Sequence, residues 1–587
     1  MSGSRAAAFI TLHGRTLVLA AIWFALALFF LVPQIQSLRG PLVGEHDWRQ
    51  ADTYSVAYNY VHVSSNFFFP RIDMTNGRSG VQGMETPLYP YLLSLLMRVF
   101  GDAPAVGRTF TCAVGLVGLV HAAVWLRPRG SSMWMVWPLA LVSSPMYLYE
   151  LRQIQPDPAM CGFAAISAAH LTAFRRDERW RSFAWGWLFA AATALTKAPG
   201  VLLLPVLWTF AWPEGRFRFW RWLGTGVALA SPAALSFGWY KWGQHLNTAY
   251  NAGEVYFAAE FSWPAIKADL ANQGNLIRLF DGVCTTYAVH WMLLPVALAG
   301  FALGFKPGHL RTTLSMTFWL AIWTVFCAGF SGKLWWHWYY ASPLAVPIGY
   351  FVAVAFYEAF GFERTSSSAD ARNRDRAAAL VVIAASFWLA TFVGGPPLDP
   401  HHTPGAGGDI LAGLGTWGWV QPINVWVLLA TLVLAAGFSR VPAFASRRVL
   451  LTAVAVAGMA VGWQRYRTDA TNVLAWRART DLWPHFARSV SELRAACDRF
   501  STRADGFVVD FGENPVGLHR AMRRGFVEPP ERIDAHGVAF FRQHGIRFLV
   551  HFVEAERRPA LATSLPRLAS GDGWELYCVD DRGCLPR

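Results

Sequence analysis

Charge is what this sequence has least of. Only 15% of its 587 residues are Asp, Glu, Lys or Arg, against 54% hydrophobic and 15% aromatic residues. Ordinary soluble domains carry about 25% charged residues, so a mean hydropathy of +0.29 excludes that class and indicates a membrane protein. Cysteine is also sparse. The seven present include no CxxC pair and no Cys/His spacing suited to zinc. Cys112, Cys161, Cys284 and Cys327 lie in or beside apolar runs and read as small core residues. No internal repeat is visible, which counts against an inverted-repeat transporter, and low complexity is confined to a Ser-rich stretch at 365–368. The first apolar run has no small-residue cleavage site before Gln34, so it reads as a retained span and not a removed leader. A net charge of +14 might suggest nucleic acid, yet the basic residues form short clusters between apolar runs, not one surface, so no nucleic-acid partner is expected.

Apolar runs fit for spanning lie at 15–37, 107–126, 131–148, 159–174, 182–196, 199–213, 222–240, 290–305, 312–330, 340–359, 377–394, 423–438 and 449–463, about thirteen when each needs roughly 20 residues or fewer inside a bundle. Arginine clusters at 127–130, 175–181, 214–221 and 364–376 alternate with arginine-poor connections. By the positive-inside rule these clusters and the N-terminus are cytoplasmic, while 38–106, 241–289 and 464–587 are outside. The expectation is an all-α polytopic protein of a bacterial inner membrane, residues 1–463, followed by a small extracytoplasmic α/β domain, 464–587. That domain has strands predicted at 506–511 and 546–552 and a helix at 486–500. Cys578 and Cys584 could bridge there in an oxidising compartment, with Cys497 either buried or an alternative partner. In the first outer loop an amphipathic helix is expected from Asp47 to His62, and an apolar run from Pro87 to Phe100 would lie in the membrane interface.

Polar residues converge on the outer face. Gly44-Glu45-His46-Asp47-Trp48-Arg49-Gln50-Ala51-Asp52 follows the first span, and spacing lets Arg49 pair with Asp52. Gln155-Pro156-Asp157-Pro158, Thr196-Lys197-Ala198-Pro199-Gly200 and Lys333 through Tyr340 fall at the same face. Trp/Tyr runs and lone lysines at helix ends are ordinary interfacial anchors. Lys197 stands apart, because it occupies a tight turn between apolar helices where burial needs an anion. A lipid phosphate is such an anion.

The order HDWRQAD, Glu85-Thr86-Pro87-Leu88-Tyr89-Pro90-Tyr91, QPDP, LTKAPG and His337-to-Pro343 (HxYYxxP) resembles the C-superfamily of membrane glycosyltransferases (GT-C), within it the bacterial protein O-mannosyltransferases and the aminoarabinose transferase that modifies lipid A. The resemblance covers roughly residues 10–360 by motif and the rest by layout. It implies a polyprenyl-phosphate-linked sugar as donor, a glycan, lipid or protein acceptor, and a catalytic carboxylate on the first outer loop. The family's acidic pair before the arginine is here His46-Asp47, so Asp47 is the match, with Glu45 as the alternative. The aminoarabinose branch has a lysine after the loop glutamate, where this chain has Thr86.

By that analogy Asp47 would take the acceptor proton in one inverting displacement, Lys197 would hold phosphate with Arg49 or Arg152, and Asp157 would orient the acceptor or the base. Asp52, Glu85, His337, Tyr339 and Tyr340 would line the substrate pocket. No cofactor is called for, and no ligand spacing points to a metal. Two rival classes are a transporter of a lipid-linked sugar, which needs an anion site but no base, and a scaffold that uses the outer domain for binding.

Overall fold

A computed structural model describes residues 46–126, 136–142, 145–212, 219–250, 263–278, 294–306, 308–334, 337–360, 483–511, 515–552, 564–580 and 583–586. The helical part runs α1 (Asp47–His62), α2 (Leu88–Phe100), α3 (Pro104–Leu126), α4 (Val136–Val142), α5 (Pro145–Leu151), α6 (Pro156–Asp177) and α7 (Trp180–Thr196). It continues through α8 (Leu204–Phe210), α9 (Phe219–Tyr250), α10 (Trp263–Ala271), α11 (Gln273–Arg278), α12 (Leu294–Gly304), α13 (Leu310–Gly329), α14 (Ser331–Leu334) and α15 (Ser342–Phe360). Among the described residues, α3 and α13 are long and apolar enough to cross a membrane.

Small residues decide how α3, α6 and α7 pack. A Cβ on Gly118 would lie 2.4 Å from Gly162, and one on Gly162 would lie 2.3 Å from the Val114 carbonyl. The α3 and α6 backbones therefore meet directly, as small-residue stripes allow inside membranes. A Cβ on Gly186 of α7 would lie 2.6 Å from the Leu171 side chain of α6, so that pair packs closely too.

Several expected spans change form. The run 131–148 contains two seven-residue helices, α4 and α5, each bearing a proline (Pro138 and Pro145). The run 199–213 opens as a 3-10 turn, Ala198–Leu203, before the short α8. Pro199 explains this, since it disfavours helix at the residue before it and supplies no amide donor. Helix α9 passes the expected end at 240 and continues to Tyr250. The runs 15–37, 377–394, 423–438 and 449–463, and Glu45, lie outside the described residues, so the expected thirteen spans are not counted here.

The C-terminal unit comprises α16 (Trp483–Phe500), β1 (Gly506–Val509), α17 (Val516–Ala521), β2 (Arg524–Val527), α18 (Ala535–Gln543), β3 (Ile546–Phe552), β4 (Arg567–Gly571) and β5 (Trp574–Cys578). The sheet order is β2-β1-β3-β5-β4. Strand β1 runs parallel to β2 and β3, and β5 pairs antiparallel with β3 and β4. Phe507, Val509, Phe548 and Val550 turn into one buried face with Leu493 and Cys497 of α16. The expected Cys578–Cys584 bridge is closed, with 5.8 Å between the Cα atoms, while Cys497 is a buried free thiol.

The sheet does not end at β2. Gly525 donates its amide to the Asp73 carbonyl at 3.0 Å and accepts from the Thr75 amide at 2.9 Å, which makes Met74 a parallel partner of Gly525. The segment after α1 thus adds to the sheet edge, covering backbone groups that would otherwise stay open. Only glycine fits at 525, because a Cβ there would lie 1.8 Å from the Phe507 carbonyl.

Candidate active site

The residues singled out from three separate motifs meet in one place. Asp157 sits in the first turn of α6, started by Pro156. Lys197 ends α7 in an extended conformation (φ −154°, ψ 136°). This turn needs Gly200, since a Cβ there would lie 2.3 Å from the Thr193 carbonyl. The Lys197 ammonium donates to both Asp157 carboxylate oxygens at 2.6 Å, and both side chains are fully buried. The buried anion that the sequence reading assigned to a lipid phosphate is therefore supplied within the chain. The same ammonium lies 4.3 Å from the Tyr339 ring centroid and 4.0 Å from that of Tyr340, so two aromatic faces flank it.

Helix α1 brings the next layer. The Arg49 guanidinium pairs with Glu85, 36 residues away, in place of the expected local pair with Asp52. Asp52 instead accepts from the Trp48 indole at 3.1 Å. Burial pushes the Asp52 carboxyl up to about 7, against the opposing pull of Arg49 and the Trp48 hydrogen bond. It is therefore only partly ionised near neutrality and is a poor fixed anion for Arg49. The charges of Glu85 and Arg49 both reach Asp157, so two ion pairs form one cluster. His46 stacks edge-on against Tyr339 at 4.8 Å and approaches Glu150 at 3.8 Å. Tyr339 also shares a 3.2 Å hydrogen bond with His337.

Glu85 owes its place to the overrun of α9. The Trp239 indole donates to the Met84 carbonyl at 2.9 Å. The Asn247 side chain bonds both backbone groups of Gly83, at 2.7 and 3.0 Å. A Cβ on Gly83 would lie 1.9 Å from the Gly243 carbonyl, so the loop rests directly on the helix.

The remaining candidates are placed as follows. Asp47 is buried at the first position of α1, with Oδ1 accepting from the Trp48 amide at 2.7 Å. Arg152 is buried with its guanidinium 4.7 Å from the Tyr149 ring centroid. Neither side chain has a direct contact with the Asp157–Lys197 pair among the described interactions. The sequence reading passed over Glu150, which is fully buried. An acid at the end of an apolar run is by itself a functional signal.

A further contact ties α1 to the C-terminal unit. Asp73, buried beside α1, accepts from Asn59 at 3.0 Å and from Arg503 at 2.9 Å. Arg503 also stacks on Tyr58 at 3.8 Å, and Tyr54 packs edge-on against His519 at 4.8 Å. Burial, followed by the charges of Arg494 and Arg503, holds the His519 imidazole well below its usual range, so it packs as a neutral ring. Arg503→Ala strands the Asp73 carboxylate. It should cost about 2–3 kcal/mol and lower the melting temperature of the purified protein, with partial recovery in Arg503→Lys. An unchanged melting temperature would show the contact to be passive.

No protein-family profile and no curated protein matches the chain. Its structure does have counterparts. ArnT from Cupriavidus metallidurans, bound to undecaprenyl phosphate, superposes with a TM-score of 0.53 at 15% identity, covering 97% of this chain and 98% of that one. Its apo form gives 0.53 at 16% identity, covering 97% and 99%. The chain shares the fold of these ArnT structures. Likeness over nearly the full length of both chains includes the C-terminal unit as well as the helices. An oligosaccharyltransferase from Archaeoglobus fulgidus is a more distant counterpart, with a TM-score of 0.43 and 10% identity over 91% of this chain and 70% of that one.

Proposed function

We propose that this protein is an integral membrane glycosyltransferase that moves a sugar from a polyprenyl-phosphate carrier to an extracytoplasmic acceptor by an inverting displacement. The observation that carries this reading is the buried cluster of Asp157, Lys197, Arg49, Glu85, Tyr339 and Tyr340, gathered at helix ends beside the loop that bears Asp47. A counterpart of the same fold is bound to undecaprenyl phosphate, which supports the choice of lipid carrier.

The chemistry needs a base at the acceptor hydroxyl and cations where phosphate leaves, because the transition state is oxocarbenium-like and negative charge grows on the leaving oxygen. Asp47 is the base in this reading. Arg49 is the better cation for phosphate. Its Nη2 is engaged by Glu85, but its buried Nε–H has no partner among the described residues, and a guanidinium can bind carboxylate and phosphate together. Lys197, paired with Asp157, holds that carboxylate aimed. Its remaining ammonium proton is the one a phosphate oxygen would take. His337 and Tyr339 line the approach from the membrane.

A transporter needs no positioned base and leaves the sugar–phosphate bond intact. Purified protein given radiolabelled undecaprenyl-phosphate sugars and a cell-envelope acceptor fraction should release free undecaprenyl phosphate and label the acceptor. Label that crosses vesicles still attached to its lipid would instead establish transport.

A further inference from the structure

Around the charged cluster stand neutral polar groups that the fold leaves unused. Gln155 caps the N-terminus of α6, two residues before Asp157. It is fully buried, yet neither its amide nitrogen nor its amide oxygen has a hydrogen-bond partner among the described residues. The Thr196 hydroxyl next to Lys197, the Ser342 hydroxyl just beyond Tyr339 and Tyr340, and the Gln50 amide nitrogen are buried and unpartnered in the same sense. Gln50 uses its oxygen to accept from the Ile154 amide at 3.4 Å, which places its nitrogen beside the Gln155 segment.

Each such group costs about 1–3 kcal/mol when left without a partner. A fold that retains several in one place is therefore less stable than it need be, unless something fills them. Gln50 neighbours Arg49 on α1, Gln155 lies just before Asp157 at the start of α6, Thr196 precedes Lys197 at the end of α7, and Ser342 begins α15 directly after the 3-10 turn Trp338–Ala341 that carries Tyr339 and Tyr340. Together they offer uncharged donors and acceptors beside a charged pair. That mixture suits neighbouring hydroxyls on a sugar ring, which both give and take hydrogen bonds, and suits neither a bare phosphate nor an aliphatic chain.

We propose that Gln155, Thr196, Ser342 and Gln50 form a binding wall for the hydroxyls of the donor sugar, with Gln155 as its central member. The proposal rests on the glycosyltransferase reading above. A site built around hydrogen bonds to hydroxyls discriminates strongly against a ligand that lacks them, because its own groups then stay unpaired.

The test compares wild type with Gln155→Leu and Gln155→Glu. The probes are undecaprenyl phosphate bare and carrying mannose, glucose, arabinose or 4-amino-arabinose. Wild type should bind at least one sugar-bearing lipid more tightly than the bare lipid. Gln155→Leu should lose about 10-fold or more of that preference, with affinity for the bare lipid unchanged within about twofold. Its ligand-free melting temperature should rise, since it removes an unsatisfied buried amide at similar volume. Gln155→Glu, which keeps the shape and the acceptors, should retain more preference than the leucine variant. Equal loss for bare and sugar-bearing lipid, a preference unchanged in Gln155→Leu, or a fall in melting temperature overturns the proposal and makes Gln155 structural. If wild type binds bare and sugar-bearing lipids alike, the wall is refuted while the carrier reading stands. If it binds neither, the carrier reading fails.

Discussion

Lys197→Met should unfold much of the membrane part's stability and abolish transfer, whereas the double variant Asp157→Leu/Lys197→Met should recover the stability and stay inactive. The single change leaves the Asp157 carboxylate fully buried without its cation, a loss of about 3–5 kcal/mol for a buried pair broken on one side. Replacing both partners with apolar side chains of similar size removes two desolvated charges at once, and such exchanges are often neutral or stabilising. Thermal melting of the purified variants, read alongside donor turnover, separates the two effects. A double variant that regains turnover would show the pair to be only structural. A single variant that melts like wild type would mean that Asp157 finds another cation, for which Arg49 is the candidate, since its charge already reaches Asp157.

The second large effect is expected at the other carboxylate. Asp47→Asn should reduce turnover by about 10²–10⁴-fold with little change in folding. The amide oxygen can still accept from the Trp48 amide, and losing the interaction of a negative charge with the helix dipole costs about 0.3–1 kcal/mol. Donor affinity should hold, because the lost function belongs to the acceptor's proton and not to the phosphate. Steady-state kinetics over a range of undecaprenyl-phosphate sugar concentrations reads this as a fall in kcat with KM for donor preserved. Wild-type turnover in Asp47→Asn would end its assignment as base. If Glu45→Gln alone is inactive, the base lies two residues upstream, and His46, already packed between Tyr339 and Glu150, becomes the residue that separates base from helix.

Sequence and structure agree best where pattern is local. The α1 limits follow from a polar start at Asp47 and a Ser-Ser-Asn stretch just beyond His62. Strand β3 follows from its β-branched and aromatic run. Strands β2 and β4 were not legible, since Arg524–Val527 and Arg567–Gly571 are short and carry arginine and glycine. The end of α9 was missed for a related reason. Hydropathy falls near 240, yet Trp239, Gly243 and Asn247 continue at helical spacing toward the Glu85 loop.

At the site, several residues singled out in the sequence do lie together, but not in the pairs their spacing suggests. Arg49 has an acid three residues away and another 36 away, and only the fold reveals that the distant one is its partner. Likewise Asp157 and Lys197 were each recognisable as unusual, but nothing in their local spacing shows that they neutralise one another across 40 residues. The Asp73–Arg503 contact spans 430 residues and carries no local pattern at all.

The backbone bridge that residues 73–75 make to the edge of the C-terminal sheet also sets an order of events during synthesis. Thr75 must wait for Gly525, 450 positions later, and at about 5–20 residues per second the ribosome needs some tens of seconds to deliver it. Over that interval the segment behind α1 is an unclaimed edge, open to wrong partners. A messenger cut short between α15 and β2 would yield a chain whose Asp157–Lys197 pair can close while residues 73–75 lack their partner at Gly525. Quality control could recognise such a product by that exposed segment.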